Sequence, residues 1–359
     1  MARATPITPP PLGAIPIGDR KVQLGAPMGQ GSMATVYRAT LGSAHGVRRT
    51  VACKLFAVFP TDEHDAAVET LKRAVQRAAC IRHANVAATY EFGLIGPQAY
   101  ILSELVEGTS LGAFVQTLAL RSRRMPLDLG MFIATEIAEG LTAARSARNH
   151  DGLKLGMTHA DLSSRDVLLS WGGDVKVTDF AIGAARHAAS SVRSLAKLAR
   201  RADTMSPEVA RGADGDARSD VFSLGVVMRQ MLSGPRFLRD VSDADGLRYA
   251  REGFVQPITF EPHLPDEVRV IISRALEIDP ERRFPHSGAM AYDLRRVALG
   301  LGVGDARVFL RSMLEKEVGG ERSDVTLQGA PMTLRSPPPQ AWQPASRVTR
   351  LRPNRGEGE

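Results

Sequence analysis

MTHADLSSRDVLLSWGGDVKVTDFAIG, residues 157–183, carries four aspartates, one of them, Asp174, in the glycine-rich turn that joins two short apolar runs. DVLLS and VKVT alternate as a hairpin does, with the turn signal WGGD between them. Asp161, Asp166 and Asp179 therefore fall on adjacent segments. Close carboxylates repel by about 1 to 4 kcal/mol per pair, so such a cluster calls for a cation. Upstream, VACKLF places a lone Lys54 inside an otherwise apolar strand, and a buried ammonium must find an anion. A phosphate would serve. In MGQGSMATVY, Gly29 and Gly31 sit in a strand–turn–strand setting where backbone N–H groups can approach phosphates. By itself that motif fits an ordinary glycine hairpin equally well. Lysine, glycine loop and aspartates together fit one task, the holding of a magnesium nucleotide.

The rest of the chain is compatible with an enzyme. Its 359 residues can bury a large core, and 43% hydrophobic with 24% charged residues is a globular composition. The net charge of +7 is scattered, and aromatics are only 5%, so no nucleic-acid interface is expected. Cys53 and Cys80 lack metal or redox spacing and read as reduced thiols, which points to a cytoplasmic protein. No apolar run reaches membrane-spanning length, and the proline-rich start is unlike a signal peptide.

Prolines at 6, 9, 10, 11 and 16 predict a flexible arm over residues 1–20, and the Pro- and Arg-containing stretch 319–359 predicts a disordered basic tail. Between them, short β-branched runs dominate to about residue 105, interrupted by a helix over DEHDAAVETLKRAVQRAACIR with its apolar stripe at Ala67, Leu71, Ala74, Val75, Ala78 and Ile81. Helices dominate afterwards, and SDVFSLGVVMRQMLSG is apolar nearly all round, as a central buried helix is. The expected fold class is α+β and bilobal: a β-rich lobe over 21–105 and a helical lobe over 106–300. An additional helix over 301–318 is expected to pack by Val308, Leu310, Leu314 and Val318.

The ordered set of motifs resembles the eukaryotic-type Ser/Thr protein kinases of bacteria, over roughly residues 21–300. MSPEVARG resembles the family's A-P-E segment, SDVFSLGVV its central helix and DPERRF its closing arginine motif. Small-molecule phosphotransferases share the H-x-D-L loop but lack these later segments. The resemblance implies that Asp161 is the catalytic base, that Asp166 and Asp179 hold Mg²⁺ or Mn²⁺, and that Gly29, Gly31, Val36, Ala52, Lys54, Glu104, Val106 and Leu168 line an ATP or ADP site. It further implies that Glu208 pairs with Arg283 and that Asp220 holds the catalytic-loop backbone. The bland alternative for Lys54, His159 and Phe180 is packing, and for Asp161 a satisfied buried carboxylate.

Several positions depart from the family pattern. Aligning RHANV with R-H-P-N-V puts Ala74 where a helix glutamate should meet Lys54, and Glu69 lies about 140° away around the helix. Ala160 replaces an arginine that reads a phosphorylated loop, Ser163 a lysine that neutralises the transferring phosphate, and Asp166 a metal-binding asparagine. Ala181 follows Asp179-Phe180 where the family has glycine, and Ala34 replaces a loop glycine. Basic residues Arg186, Arg193, Lys197, Arg200 and Arg201 face only Asp203 in the intervening loop, where Ser190, Ser191, Ser194 and Thr204 read as solvated residues rather than modification sites. Together these departures predict a nucleotide-binding pseudokinase, a scaffold or allosteric regulator with weak or absent phosphoryl transfer. The alternatives are an active Ser/Thr kinase and an interaction module that binds no nucleotide.

Overall fold

Strand alternation builds the first lobe. A computed structural model describes residues 14–17, 20–31, 33–42, 46–59, 64–182, 202–233, 243–253 and 263–319. Strands β1 (Ala14–Ile17), β2 (Arg20–Gln30), β3 (Ala34–Gly42), β4 (Arg48–Phe56), β5 (Thr89–Ile95) and β6 (Gln98–Glu104) form one antiparallel sheet in the order β1-β2-β3-β4-β6-β5. In β4 the period of two buries Val51, Cys53 and Leu55 with Tyr37 and Leu102 on one face. It leaves Ala52 and Lys54 half-buried on the other, with Val36 of β3 directly opposite Lys54. Burial pushes the Cys53 thiol up to about 12, so it behaves as a small apolar side chain.

Strand β1 lies within the expected flexible arm, of which residues 1–13 and 18–19 lie outside the described residues. Ala14–Ile17 pairs with residues 20–23, and Pro16 is tolerated because β1 is an edge strand, where a missing N–H donor can face outward. Helix α1 (His64–Ala78) buries Ala67, Leu71, Ala74, Val75 and Ala78, the stripe that its periodicity predicts.

The second lobe begins with a small antiparallel sheet, β7 (Gly108–Ser110), β8 (Val167–Ser170) and β9 (Val175–Val177), in the order β7-β8-β9. Ser110 caps α2 (Leu111–Leu120) by accepting from the Ala113 N–H at 3.2 Å. Helices α3 (Leu127–Ser146), α4 (Pro207–Ala210), α5 (Ala217–Ser233), α6 (Asp243–Glu252), α7 (Asp266–Ala275), α8 (Ser287–Gly300) and α9 (Arg307–Glu317) follow. Helix α5 is enclosed by α3, α7 and α8, which is why its sequence is apolar all round.

Helix α9 packs on the lobe, with one departure from expectation. Leu310, Leu314 and Val318, spaced by four, are buried, whereas Val308 is 80% exposed because it lies on the opposite side of the turn. Glu317, its side chain 1% exposed, accepts from Arg121 and Arg123 at 3.1 and 2.5 Å and pins the end of α9 beside α2. At its other end the Arg307 carbonyl rests against Gly173 in the β8–β9 turn, at φ 90°, where an added Cβ would come within 2.3 Å of that oxygen. Gly173→Ala is expected to lower unfolding free energy by about 2 kcal/mol from the positive φ and the overlap, measured by urea titration. An unchanged midpoint would show that α9 does not press on this turn.

Candidate functional site

Two hydrogen-bonded frames position the loop 157–170. The first is Asp220 on α5, which is buried and accepts from the His159 and Ala160 N–H groups at 2.8 and 2.9 Å. Burial pushes its carboxyl up, while the His159 ring and these two donors oppose the shift. The grip holds Ala160 at φ 62°, a left-handed conformation that a non-glycine residue adopts at a cost of about 1 kcal/mol. The second is Glu208 on α4, whose two oxygens accept from Arg283 at 2.8 and 2.8 Å while Ser219 donates at 2.7 Å. Both frames are those that the sequence motifs imply.

His159 and Phe180 stack between these segments, ring centroids 4.9 Å apart, and His159 Nε2 lies 2.8 Å from the Thr178 carbonyl. Asp161, the next residue after Ala160, lines a small pocket with Thr204, Met205, Ser206 and Ser219. Thr204 is buried rather than solvated, and its carbonyl accepts from Ser223. Ser190, Ser191, Ser194 and the basic residues Arg186, Arg193, Lys197, Arg200 and Arg201 lie outside the described residues.

Across from this loop, Lys54 donates to both oxygens of Asp179 at 2.6 and 2.5 Å, with side-chain exposures of 19% and 24%. This is the anion that a lysine in a buried strand requires. Asp179 itself adopts φ 71°, and Phe180, Ala181 and Ile182 continue in helical geometry, with Ile182 N donating to the Asp179 carbonyl at 2.9 Å. The positive φ thus falls at Asp179, and alanine at 181, where the family has glycine, carries no such strain.

The expected three-carboxylate cluster is not formed. Among the described residues no three acidic, histidine or cysteine side chains converge into a metal-holding group. Each aspartate has its own neighbours: Asp179 takes Lys54, and Asp166 Oδ2 accepts from Ser163 N and Oγ at 2.9 and 2.6 Å. Ser163, standing where the family pattern has a lysine, thus ties down the carboxylate three residues on.

Helix α1 presents buried Ala74 where the family pattern has a glutamate. Glu69 is exposed and paired with Lys72 and Arg73 at 3.3 and 3.2 Å. Arg77 donates to the Leu155 carbonyl at 2.7 Å, fastening the end of α1 to the second lobe and opposing the rotation that would bring Glu69 round.

Gly29 pairs with Val36 in the β2–β3 register, and the Gly31 N–H closes the turn on the Ala34 carbonyl at 2.8 Å. Val106 is half-buried beyond β6, and Leu168 is 8% exposed on β8. The Glu104 carboxylate accepts from Lys176 at 2.9 Å and from the Ala88 N–H at 3.1 Å, and its own N–H donates to the Ala88 carbonyl. Those bonds leave the backbone carbonyl as the group of this residue for a nucleotide contact. The Lys176 partnership was legible by the logic applied to Lys54, a lysine within an apolar strand.

Residues 22–290 match the family of protein tyrosine and serine/threonine kinases. The chain belongs to the protein kinase family. Its relatives include the tyrosine-protein kinase MasK of Myxococcus xanthus, 28% identical over 296 residues that make up 82% of this chain and 46% of that protein. The serine/threonine-protein kinase PknB of Mycolicibacterium smegmatis is 31% identical over 290 residues, 79% of this chain and 44% of that protein. PknB of Mycobacterium leprae is 30% identical over 298 residues, 82% of this chain and 44% of that protein. The chain spans less than half the length of these curated relatives. In this kinase fold no described helix is long and apolar enough to cross a membrane.

The Glu208–Arg283 pair yields a pH signature. Burial alone would raise the Glu208 carboxyl, but Arg283, Ser219 and the local backbone outweigh it and hold it at about 2 against an ordinary 4.5. Its stabilising contribution is complete above pH 4.5 and lost as pH falls toward 2. Glu208→Gln is expected to lose about 3 kcal/mol at neutral pH and to flatten unfolding free energy between those pH values, measured by denaturant titration. A variant that keeps the wild-type acid slope would place the titrating group elsewhere.

Proposed function

We propose that this protein kinase binds Mg–ATP or Mg–ADP between its lobes and transfers the γ-phosphoryl group to protein hydroxyls slowly, serving chiefly as a nucleotide-dependent scaffold or regulator in signalling. One observation carries this: the Lys54 ammonium is held by Asp179 at 2.5 Å, while α1 carries a buried alanine, Ala74, where the family pattern has a glutamate. Among the described residues, the carboxylate that pairs with Lys54 is that of Asp179.

The residues present fit a metal nucleotide. Mg²⁺ is commonly bound by one or two carboxylates plus substrate phosphates, so Asp179 and Asp166 suffice without the three-residue group that is missing from the described residues. When bound, the metal nucleotide supplies the phosphoryl group and a dication that offsets phosphate charge. Lys54 contributes a positive charge to the phosphates, and the face of Val36 and Ala52 beside it covers the base and sugar. Asp161 orients the accepting hydroxyl and takes its proton, positioned by the grip of Asp220 on the preceding backbone. Ser163 adds no charge to the transferring group, which removes one source of electrostatic stabilisation. Free thiols at Cys53 and Cys80 support a cytoplasmic location.

A second function, transfer at an ordinary kinase rate, is favoured by the retention of Lys54, Asp161 and Asp179 and by relatives that are named kinases. Thermal shift and incorporation of labelled phosphate with Mn²⁺ separate the two. The slow-transfer protein gains stability with nucleotide, loses that gain in Lys54→Ala, and transfers about 10²-fold faster in Ala74→Glu, which restores the orientation of Lys54. A wild-type rate that Ala74→Glu leaves unchanged and Asp161→Asn abolishes would establish the second function. Absence of any nucleotide-dependent shift would sink both and leave an interaction module.

A further inference from the structure

Away from the nucleotide site, one turn of the second lobe sets a free hydroxyl beside the only donors of a buried carboxylate. Helix α2 runs out into Arg121, Ser122, Arg123 and Arg124, all exposed. Ser122 adopts φ 54°, its N–H donates to the Ala119 carbonyl at 3.0 Å, and the Arg123 N–H donates to the Leu118 carbonyl at 2.8 Å. This left-handed helix end brings the side chains on either side of the serine onto one acceptor. Arg121 donates to Oε2 and Arg123 to Oε1 of Glu317 on α9. The Glu317 carboxylate, 1% exposed, has no other partner among the described residues. It closes α9, where the negative end of a helix opposes a carboxylate, so the two guanidiniums are what keep this charge inside. Each of them is 48% exposed. Among the described residues Arg124 has the His263 ring nitrogen, at 3.2 Å, and no carboxylate, and the Ser122 hydroxyl has no partner.

We propose that Ser122 is a phosphorylation site whose phosphate takes Arg121 and Arg123 from Glu317 and releases the end of α9. In the modifying step the Ser122 hydroxyl oxygen forms a bond to the γ-phosphorus of ATP as the bond from that phosphorus to the β–γ bridging oxygen breaks. ADP leaves, and the hydroxyl proton passes to the base of the transferring kinase. Arginines on both sides of the serine suit a Ser/Thr kinase with an acidic peptide-binding surface. The product carries about two negative charges and three strong acceptor oxygens, next to three guanidiniums. It is tethered beside them, whereas Glu317 reaches them only while α9 stays docked, and it brings the larger charge. Glu317 is then left as a buried carboxylate without donors, a state relieved by carrying the last turn of α9 into water. Leu314 and Val318, buried in the docked helix, move with it, so the modification uncovers apolar surface as well as a charge.

The test uses the full chain in two preparations. One carries phosphoserine inserted at 122 during translation. The other is wild type treated with ATP and an arginine-directed Ser/Thr kinase that phosphorylates the peptide LALRSRRMPLD, residues 118–128. Mass-spectrometric mapping is expected to find phosphate on Ser122 of the treated chain. Amide hydrogen exchange over residues 314–318 is expected to quicken at least about tenfold in the phosphoserine protein, the factor that loss of one charge-assisted bond implies. Exchange within α5 is expected to stay unchanged, and phosphatase treatment to restore the wild-type rate in α9. In Glu317→Gln, first checked for a cooperative thermal transition, phosphate at 122 is expected to alter α9 exchange by less than about twofold, because no carboxylate is there to displace. A folded chain that refuses phosphate at Ser122 while the peptide accepts it overturns the site. Unaltered or slower exchange of α9 in the phosphoserine protein overturns the release. So does an acceleration that persists in full in Glu317→Gln, which would reflect added bulk rather than competition for the arginines.

Discussion

The ion pair between Lys54 and Asp179 is the interaction on which the site depends. It joins β4 of the first lobe to the segment after β9 of the second, and both ends are placed by elements with no freedom of register. Strand alternation puts Lys54 opposite Val36 on the half-buried face while Val51, Cys53 and Leu55 fill the other side. A one-residue slip would exchange these faces, burying the ammonium among apolar side chains. Asp179 is set by β9 and by its left-handed backbone, which turns the carboxylate toward Lys54 while the chain continues into Phe180.

The second lobe supplies the rigidity that such a placement needs. Ala160 and Asp179 both occupy positive φ, and each costs about 1 to 2 kcal/mol that the surroundings must offset. Asp220 offsets the first through two backbone donors, and the His159–Phe180 stack packs against the second. The Glu208–Arg283 pair fastens α4 beneath them, with the Arg283 side chain fully buried and also donating to the carbonyls of Glu277 and Ile278. Because breaking one partner of a buried pair leaves an uncompensated charge, this frame resists partial loosening.

Features governed by periodicity or by a residue's need for a partner were legible in the sequence. The stripe on α1 and the enclosed helix α5 have the form that their periodicity predicts, and the Glu208–Arg283 pair and the grip of Asp220 have the form that the family resemblance implies. Features set by which partner wins were not. The aspartates of residues 157–183 suggested a shared cation, but Ser163 takes Asp166 and Lys54 takes Asp179. The Glu104 carboxylate is committed to Lys176 and Ala88. Pro16 argued against pairing, yet an edge strand needs no donor on its outer side. Val308 was placed on the buried stripe of α9, though only Leu310, Leu314 and Val318 keep the spacing of four.

The loop HADLSSRDVLLS is therefore neither intact nor dismantled. His159 and Asp161 stand in a frame held by Asp220, while Lys54 pairs with Asp179 and α1 carries alanine at 74 where the family pattern has a glutamate. The most direct measurement of that pairing is a double-mutant cycle on ligand-free unfolding free energy, using Lys54→Met, Asp179→Asn and their combination. A favourable coupling of about 1 to 3 kcal/mol is predicted for a partly buried, bidentate pair. A coupling indistinguishable from zero would contradict the account, because Lys54 would then be positioned by something other than Asp179.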